Sequence, residues 1–235
     1  MSGHSKWSQI KHKKGAADKK KGQLFSKLVK QITIAARTGT DTESNFKLRL
    51  AIEQAKASQM PKDTIDRAIE KASGTDGMAL SQATYEGYGP AGSAFIIEVA
   101  TNSKNRASSE IRHILEKRGG SLGQPNSVAW NFESKGEILT RGKNLEELEL
   151  VAIEAGAEDV RTSQEGLEVY TLPVDLVKIK KILEEAGAII ESAEVALNAK
   201  TMVALSDADK KTAQALYEEL SDHDDVINVY TSAEL

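Results

Sequence analysis

Nine lysines, at positions 6, 11, 13, 14, 19, 20, 21, 27 and 30, fall within the first thirty residues, against one acid, Asp18. Ammonium groups at that density repel one another and are stable only when solvated or neutralised by a polyanion. They suit the oxygens of a sugar-phosphate backbone better than the edges of bases. Lys6, Lys11, Lys13, Lys14, Lys19, Lys20, Lys21, Lys27 and Lys30, with the interleaved His12, are therefore candidate nucleic-acid-binding residues; the alternative is a soluble basic tail. Trp7 lies among them. It either stacks on an exposed base, worth roughly 1–3 kcal/mol, or folds back and pins the basic segment to the body. A second basic cluster surrounds residues 105–117: Lys104, Arg106, Arg112, His113, Lys117 and Arg118. Lys104, Arg106 and Arg112 would extend the same phosphate track, with a solvated helix face as the competing reading.

Residues 85–92 read Y-E-G-Y-G-P-A-G, three glycines and a proline in eight positions. That composition predicts a rigid turn leading into a strand. The other reading makes Tyr85, Tyr88, Gly89 and Pro90 a surface for a partner. The stretch is not a nucleotide-binding loop, because no Gly-Lys-Ser/Thr helix start follows it. Nor does the chain hold a G-x-S-x-G elbow or an H-E-x-x-H helix. The four histidines (4, 12, 113, 223) are far apart, and two of them sit among lysines that repel a metal cation. Acid clusters at Glu146/Glu147/Glu149, Asp207/Asp209 and Asp222/Asp224/Asp225 lack the spacing and glycine of a calcium loop. Asp207 reads as a helix cap. The absence of cysteine excludes disulfides and thiolate metal sites and fits a reducing compartment. The expectation is a protein that is not an enzyme and has no cofactor, no metal and no small-molecule substrate.

The elements that must carry these residues follow from charge and periodicity. Residues 1–72 hold sixteen Lys and Arg against seven Asp and Glu, a net of +9; the total of −4 leaves −13 for residues 73–235. Such a bipolar chain turns one end toward an anionic partner while its acidic body limits non-specific sticking. Apolar content of 40% and charged content of 28% are ordinary for a globular protein. No apolar run reaches membrane-span length and no secretory signal stands at the N-terminus, so a cytoplasmic location without membrane contact is expected. Helical periodicity appears in residues 16–37 (Leu24, Phe25, Leu28, Val29, Ile32), after the 41–44 cluster (Leu48, Ala51, Ile52, Ala55) and after Pro61 (Ile65, Ala68, Ile69, Ala72). Three short amphipathic stripes bury themselves only by packing together, which predicts a three-helix bundle. Residues 75–82 read as a linker. Beyond them come strands at 94–100, 128–132, 136–140, 160–162, 167–172, 189–197, 201–205 and 226–230, with helices at 105–117 and 208–220. I-L-E-K-R-G-G-S-L, V-A-I-E-A-G-A-E-D-V and I-L-E-E-A-G-A-I-I share one plan, a helix closing at a glycine before an extended segment. The fold class is thus α+β: an N-terminal three-helix bundle followed by two ferredoxin-like α+β domains, one inserted in the other. The boundaries are 1–78 for the basic helical domain, 79–133 with 201–235 for one α+β domain, and 134–200 for the inserted one.

G-H-S-K-W-x-x-I-K-H-K-K at the start, Y-E-G-Y-G-P at 85–90, K-N-R at 104–106, G-G-S-L-G at 119–123 and S-V-A-W-N-F at 127–132 together resemble the YebC/PmpR family over the full length. The resemblance implies a helical N-terminal domain, two α+β domains and a role in gene expression. Family members are described as DNA-binding transcriptional regulators; relatives, including a mitochondrial translational activator of a cytochrome oxidase subunit, are described as translation factors acting at the ribosome on proline-rich stretches. The partner is accordingly nucleic acid, either DNA or ribosomal or transfer RNA, with the ribosome as the larger body in the second case. Ala91 and Asn126 stand where the family pattern leads one to expect glycine. Asn tolerates a positive φ, whereas Ala91 puts a tight backbone approach in question.

Overall fold

The computed structural model describes residues 17–73 and 80–235. Its first three elements are helices α1 (Ala17–Ala36), α2 (Phe46–Ala57) and α3 (Lys62–Ser73). Their stripes meet in one apolar cluster of Leu28, Ile32, Ala35, Ala36, Leu48, Ala55, Met60, Ile65 and Ala68. Helix α2 is capped by Asn45, whose side-chain oxygen accepts from the Leu48 N–H while its amide donates to the carbonyls of Ala35 and Gly39 at 2.7 and 2.6 Å. One side chain thereby starts α2 and closes α1. The cap thus follows directly on the 41–44 cluster, at Asn45. Asp41 instead holds the preceding turn, accepting from the Glu43 N–H at 3.0 Å and the Ser44 hydroxyl at 2.9 Å.

The rest of the chain is β1 (Ser81–Tyr88), β2 (Ala94–Thr101), α4 (Lys104–Lys117), β3 (Ser121–Leu122), β4 (Phe132–Arg141), α5 (Leu145–Ala155), β5 (Asp159–Ser163), β6 (Gly166–Thr171), α6 (Leu176–Glu185), β7 (Ile189–Ala199), α7 (Asp207–Asp222) and β8 (Val226–Thr231). The described residues thus form an α+β protein with two four-stranded sheets, ordered β3-β1-β2-β8 and β5-β6-β4-β7. They divide into two compact units. One joins Ala17–Phe132 to Ala199–Leu235; the other contains Glu133–Asn198. In that division the three helices fall in the same unit as the first sheet.

In that first unit the antiparallel sheet is built on β2. Phe95, Ile97 and Val99 point into a core with Ile111, Ile114 and Leu115 of α4 and Leu216 and Leu220 of α7. Ala94, Ile96 and Ala100, on the opposite face of the strand, are buried too. Burial on both faces explains why β2 reads as an almost unbroken apolar run. The sheet opens with the β1–β2 hairpin rather than with a β-α-β crossover. In the other unit, the order β5-β6-β4-β7 for a chain running β-α-β-β-α-β is the ferredoxin-like arrangement. Its buried apolar residues include Ile138, Leu167, Val169, Leu176, Ile179 and Leu183.

Three sequence expectations are corrected. Residues 81–82, read as linker, and 85–88, read as turn, belong to strand β1, paired along its length with β2. Position 87 of that strand holds glycine because a Cβ there would lie 2.9 Å from both Leu115 Cδ1 and Ser121 O. Residues 128–132, read as a strand, are a 3-10 turn at Ala129–Asn131 that leads into β4. Two successive amides, of Val128 and Ala129, donate to the same oxygen of Glu86, which an alternating strand cannot do. Residues 201–205 make only an isolated bridge, Val203 with Ala233.

Candidate nucleic-acid interface

Lys6, Trp7, Lys11, His12, Lys13 and Lys14 lie outside the described residues. The backbones of Lys19 and Lys20 are in the first turns of α1, with their side chains outside the described set. Lys21 is exposed, its ammonium 5.7 Å from the centre of the Phe25 ring. Lys27 and Lys30, one turn apart, face inward across the end of α7. Lys27 Nζ donates to the Ser221 carbonyl. Lys30 Nζ donates to the Asp224 carbonyl at 2.6 Å and to Asp225 Oδ1 at 2.9 Å. Gln31 continues the seam to Asn228 on β8 at 3.3 Å.

Asp225 is where two candidate residues meet. Its second oxygen accepts from Arg106 Nη2 at 2.7 Å and from the Thr101 hydroxyl at 2.8 Å. Burial alone would raise this carboxyl, but hydrogen bonds from Arg106, Lys30 and Thr101 outweigh it and hold the group down to about 2. Lys30 and Arg106 thus brace α1 and α4 against the start of β8. Along the outer side of α4, Lys104 and Arg112 are exposed, as is His113. At its C-terminal end Lys117 and Arg118 grip Glu219 at 2.7 and 2.8 Å and lower its carboxyl.

Tyr85 and Tyr88 both use their hydroxyls on the chain itself. Tyr85 donates to the Lys104 carbonyl at 2.8 Å, and burial, then the charge of Asp225, push its phenol up. Tyr88 donates to the Ser127 carbonyl at 3.1 Å. Gly89 and Pro90 are buried, and a Cβ on Gly89 would sit 2.5 Å from the Phe95 ring. Ala91 does adopt the left-handed region, φ 54°, and so does Asn126, φ 65°. The four loop residues therefore separate: Tyr88 is presented outward, while Gly89 and Pro90 fill space beneath.

Sequence reasoning missed Glu86. It is 8% exposed, and its carboxylate accepts three backbone N–H groups, from Asn126 at 2.6 Å, Val128 at 2.7 Å and Ala129 at 2.8 Å. A buried carboxylate with that many donors freezes the 123–131 loop against β1. Glu86 is the second residue of the tyrosine motif and the loop bears the S-V-A-W-N-F motif, so the two motifs form one structural object. The signal available in sequence was a carboxylate in an otherwise neutral, glycine-rich stretch. Among the described residues no helix is long and apolar enough to cross a membrane.

Comparison with known proteins supplies the family. Residues 5–75 match the family model of the TACO1/YebC protein N-terminal domain, and residues 80–233 match that of the TACO1/YebC second and third domain. A protein of Geotalea uraniireducens named "probable transcriptional regulatory protein" is 46% identical over 238 residues, spanning 100% of this chain and 96% of its own. One of the same name from Desulfosudis oleivorans is 49% identical over 239 residues, 100% and 97% of the two chains. The crystal structure of a conserved hypothetical protein from Aquifex aeolicus superposes with a TM-score of 0.89 at 40% identity, covering 97% of this chain and 96% of that one.

Proposed function

The chain belongs to the TACO1/YebC family, and from that premise we propose that it is a non-enzymatic, nucleic-acid-binding regulator of gene expression that acts on DNA, a role that fits relatives named probable transcriptional regulatory proteins. The observation that carries the reading is the division of charge, +9 in residues 1–72 against −13 in the remainder. Phosphate contact is the favourable outlet for the lysines of the basic end, and Lys104 and Arg112 on the exposed side of α4 extend it. Lys27, Lys30 and Arg106 serve this interface as braces, because their charges are directed at the protein's own carbonyls and at Asp225.

A second reading, an RNA-binding translation factor at the ribosome, is favoured by one feature of α3. That helix follows α2 after a four-residue turn, as a DNA-recognition helix would, yet its exposed residues Lys62, Asp63, Asp66, Arg67, Glu70 and Lys71 bring as many carboxylates as cations. Carboxylates at that density oppose entry into a major groove lined by phosphates.

Changing Lys11, Lys13, Lys14, Lys19, Lys20 and Lys21 to Gln tests the shared core of both readings. Binding to a labelled oligonucleotide should weaken, and the log–log dependence of affinity on salt should flatten by about 0.7–0.9 for each phosphate no longer neutralised. An unchanged slope removes these lysines from the interface.

A further inference from the structure

Trp130 is 70% exposed, although it stands in a loop held by many hydrogen bonds. Its indole Nε1 donates to the Ser127 carbonyl at 3.0 Å, and Tyr88 Oη donates to the same oxygen at 3.1 Å. One carbonyl therefore anchors the polar ends of two aromatic side chains. The backbone beneath them is fixed from three directions. Glu86 takes the amides of Asn126, Val128 and Ala129. Asn131, 7% exposed, exchanges hydrogen bonds with Thr201, its Nδ2 donating to the carbonyl and its Oδ1 accepting the N–H, both at 3.0 Å. Lys200 Nζ donates to the Trp130 carbonyl at 3.0 Å, which places an exposed ammonium at the foot of the indole. Tyr88 itself is 37% exposed.

Packing alone does not explain this arrangement. An indole that filled a core would be covered, and one left over at a surface would not be locked by its own N–H. Here the donor is satisfied internally while the ring remains open to water, so a partner meets an immobilised flat apolar surface and little side-chain entropy is lost on binding. The neighbouring charge is positive. We infer that Trp130 and Tyr88, with Lys200 at their edge, form a stacking platform for an unpaired base of a single-stranded nucleic acid, the ammonium taking the adjoining phosphate. Bases inside a duplex already stack on one another and offer no free face to such a platform, so single strands are its ligand class. The inference rests on the nucleic-acid-binding reading and adds to it a second point of attachment, one that works through stacking rather than charge.

The chain has two tryptophans, so a Trp7→Phe background leaves Trp130 as the sole indole emitter. In that background a fluorescein-labelled twelve-residue oligouridine should bind by anisotropy, and the unlabelled oligomer should quench Trp130 emission saturably. A twelve-base-pair RNA duplex should leave that emission nearly unchanged. Trp130→Ala should weaken oligouridine binding by roughly 5- to 150-fold, the range spanned by a single base–aromatic stack, with the salt slope unaltered, while Trp130→Phe keeps most of the affinity. If oligouridine binds but Trp130 emission does not respond, or Trp130→Ala binds as its parent does, the platform is wrong and the nucleic-acid reading stands. Equal quenching by the duplex overturns the single-strand assignment. If the unsubstituted chain binds neither nucleic acid, both readings fall together.

Discussion

Asp225 is 6% exposed and receives cations from two distant parts of the chain, Lys30 on α1 and Arg106 on α4. Folded, its carboxyl lies near 2; an unfolded aspartate titrates near 3.8. Because the folded value is the lower one, the ionised form favours folding. That contribution is complete above about pH 4 and is lost as pH falls from there through about 2. The difference corresponds to about 2 kcal/mol. Asp225→Asn should therefore lower the unfolding free energy by about that amount at pH 7, and it should remove part of the acid-induced loss between pH 4 and 2. Urea titrations at stepped pH measure both. Parallel pH dependence of mutant and parent through that window contradicts the assignment.

Among the elements, the helix ends show most clearly what a sequence can disclose. The three recurring glycine segments end α4, α5 and α6 at Gly119, Gly156 and Gly187, with φ of 75°, 102° and 85°. In each, the next residue's N–H reaches back five positions, Gly120 to Leu115, Ala157 to Ala152 and Ala188 to Leu183, all at 2.9–3.0 Å. This is the closure expected of a left-handed glycine terminator. A Cβ at Gly156 would meet nothing within 4 Å, so Gly156→Ala should lose only the backbone preference, about 1–2 kcal/mol, read as a shift in the urea midpoint. A loss well above that range would reveal a packing role. These devices were legible because their cause is local. Strand β1 was not, because Gly87 and Gly89 signal a turn in sequence but serve here as points of close approach to Leu115, Ser121 and Phe95. The 129–131 turn was hidden for the opposite reason: V-A-W-N-F has strand composition, and the carboxylate that bends it comes from about forty residues away. At the candidate site the charge pattern could be read directly. The fate of individual charges could not, since Lys30 finds its acid 195 positions downstream.

At the scale of the whole molecule, charge separation governs which large partners are reached. A body of net −13 repels bulk polyanion, while an end of net +9 attracts it, so association should be local and steeply salt-dependent. If the translational role holds, the intact protein should sediment with ribosomes at moderate salt and be released as salt is raised. Absence from the ribosomal fraction together with retained affinity for a defined promoter fragment decides for transcription. Helix α1 also has a place in time. Its partners Ser221, Asp224, Asp225 and Asn228 are added by a ribosome roughly 10–40 s after Lys30 at ordinary elongation rates. Until they emerge, α1 can pack on α2 and α3 alone, and the ammonium groups of Lys27 and Lys30 spend that interval without their carbonyl and carboxylate partners at the exit of an RNA machine.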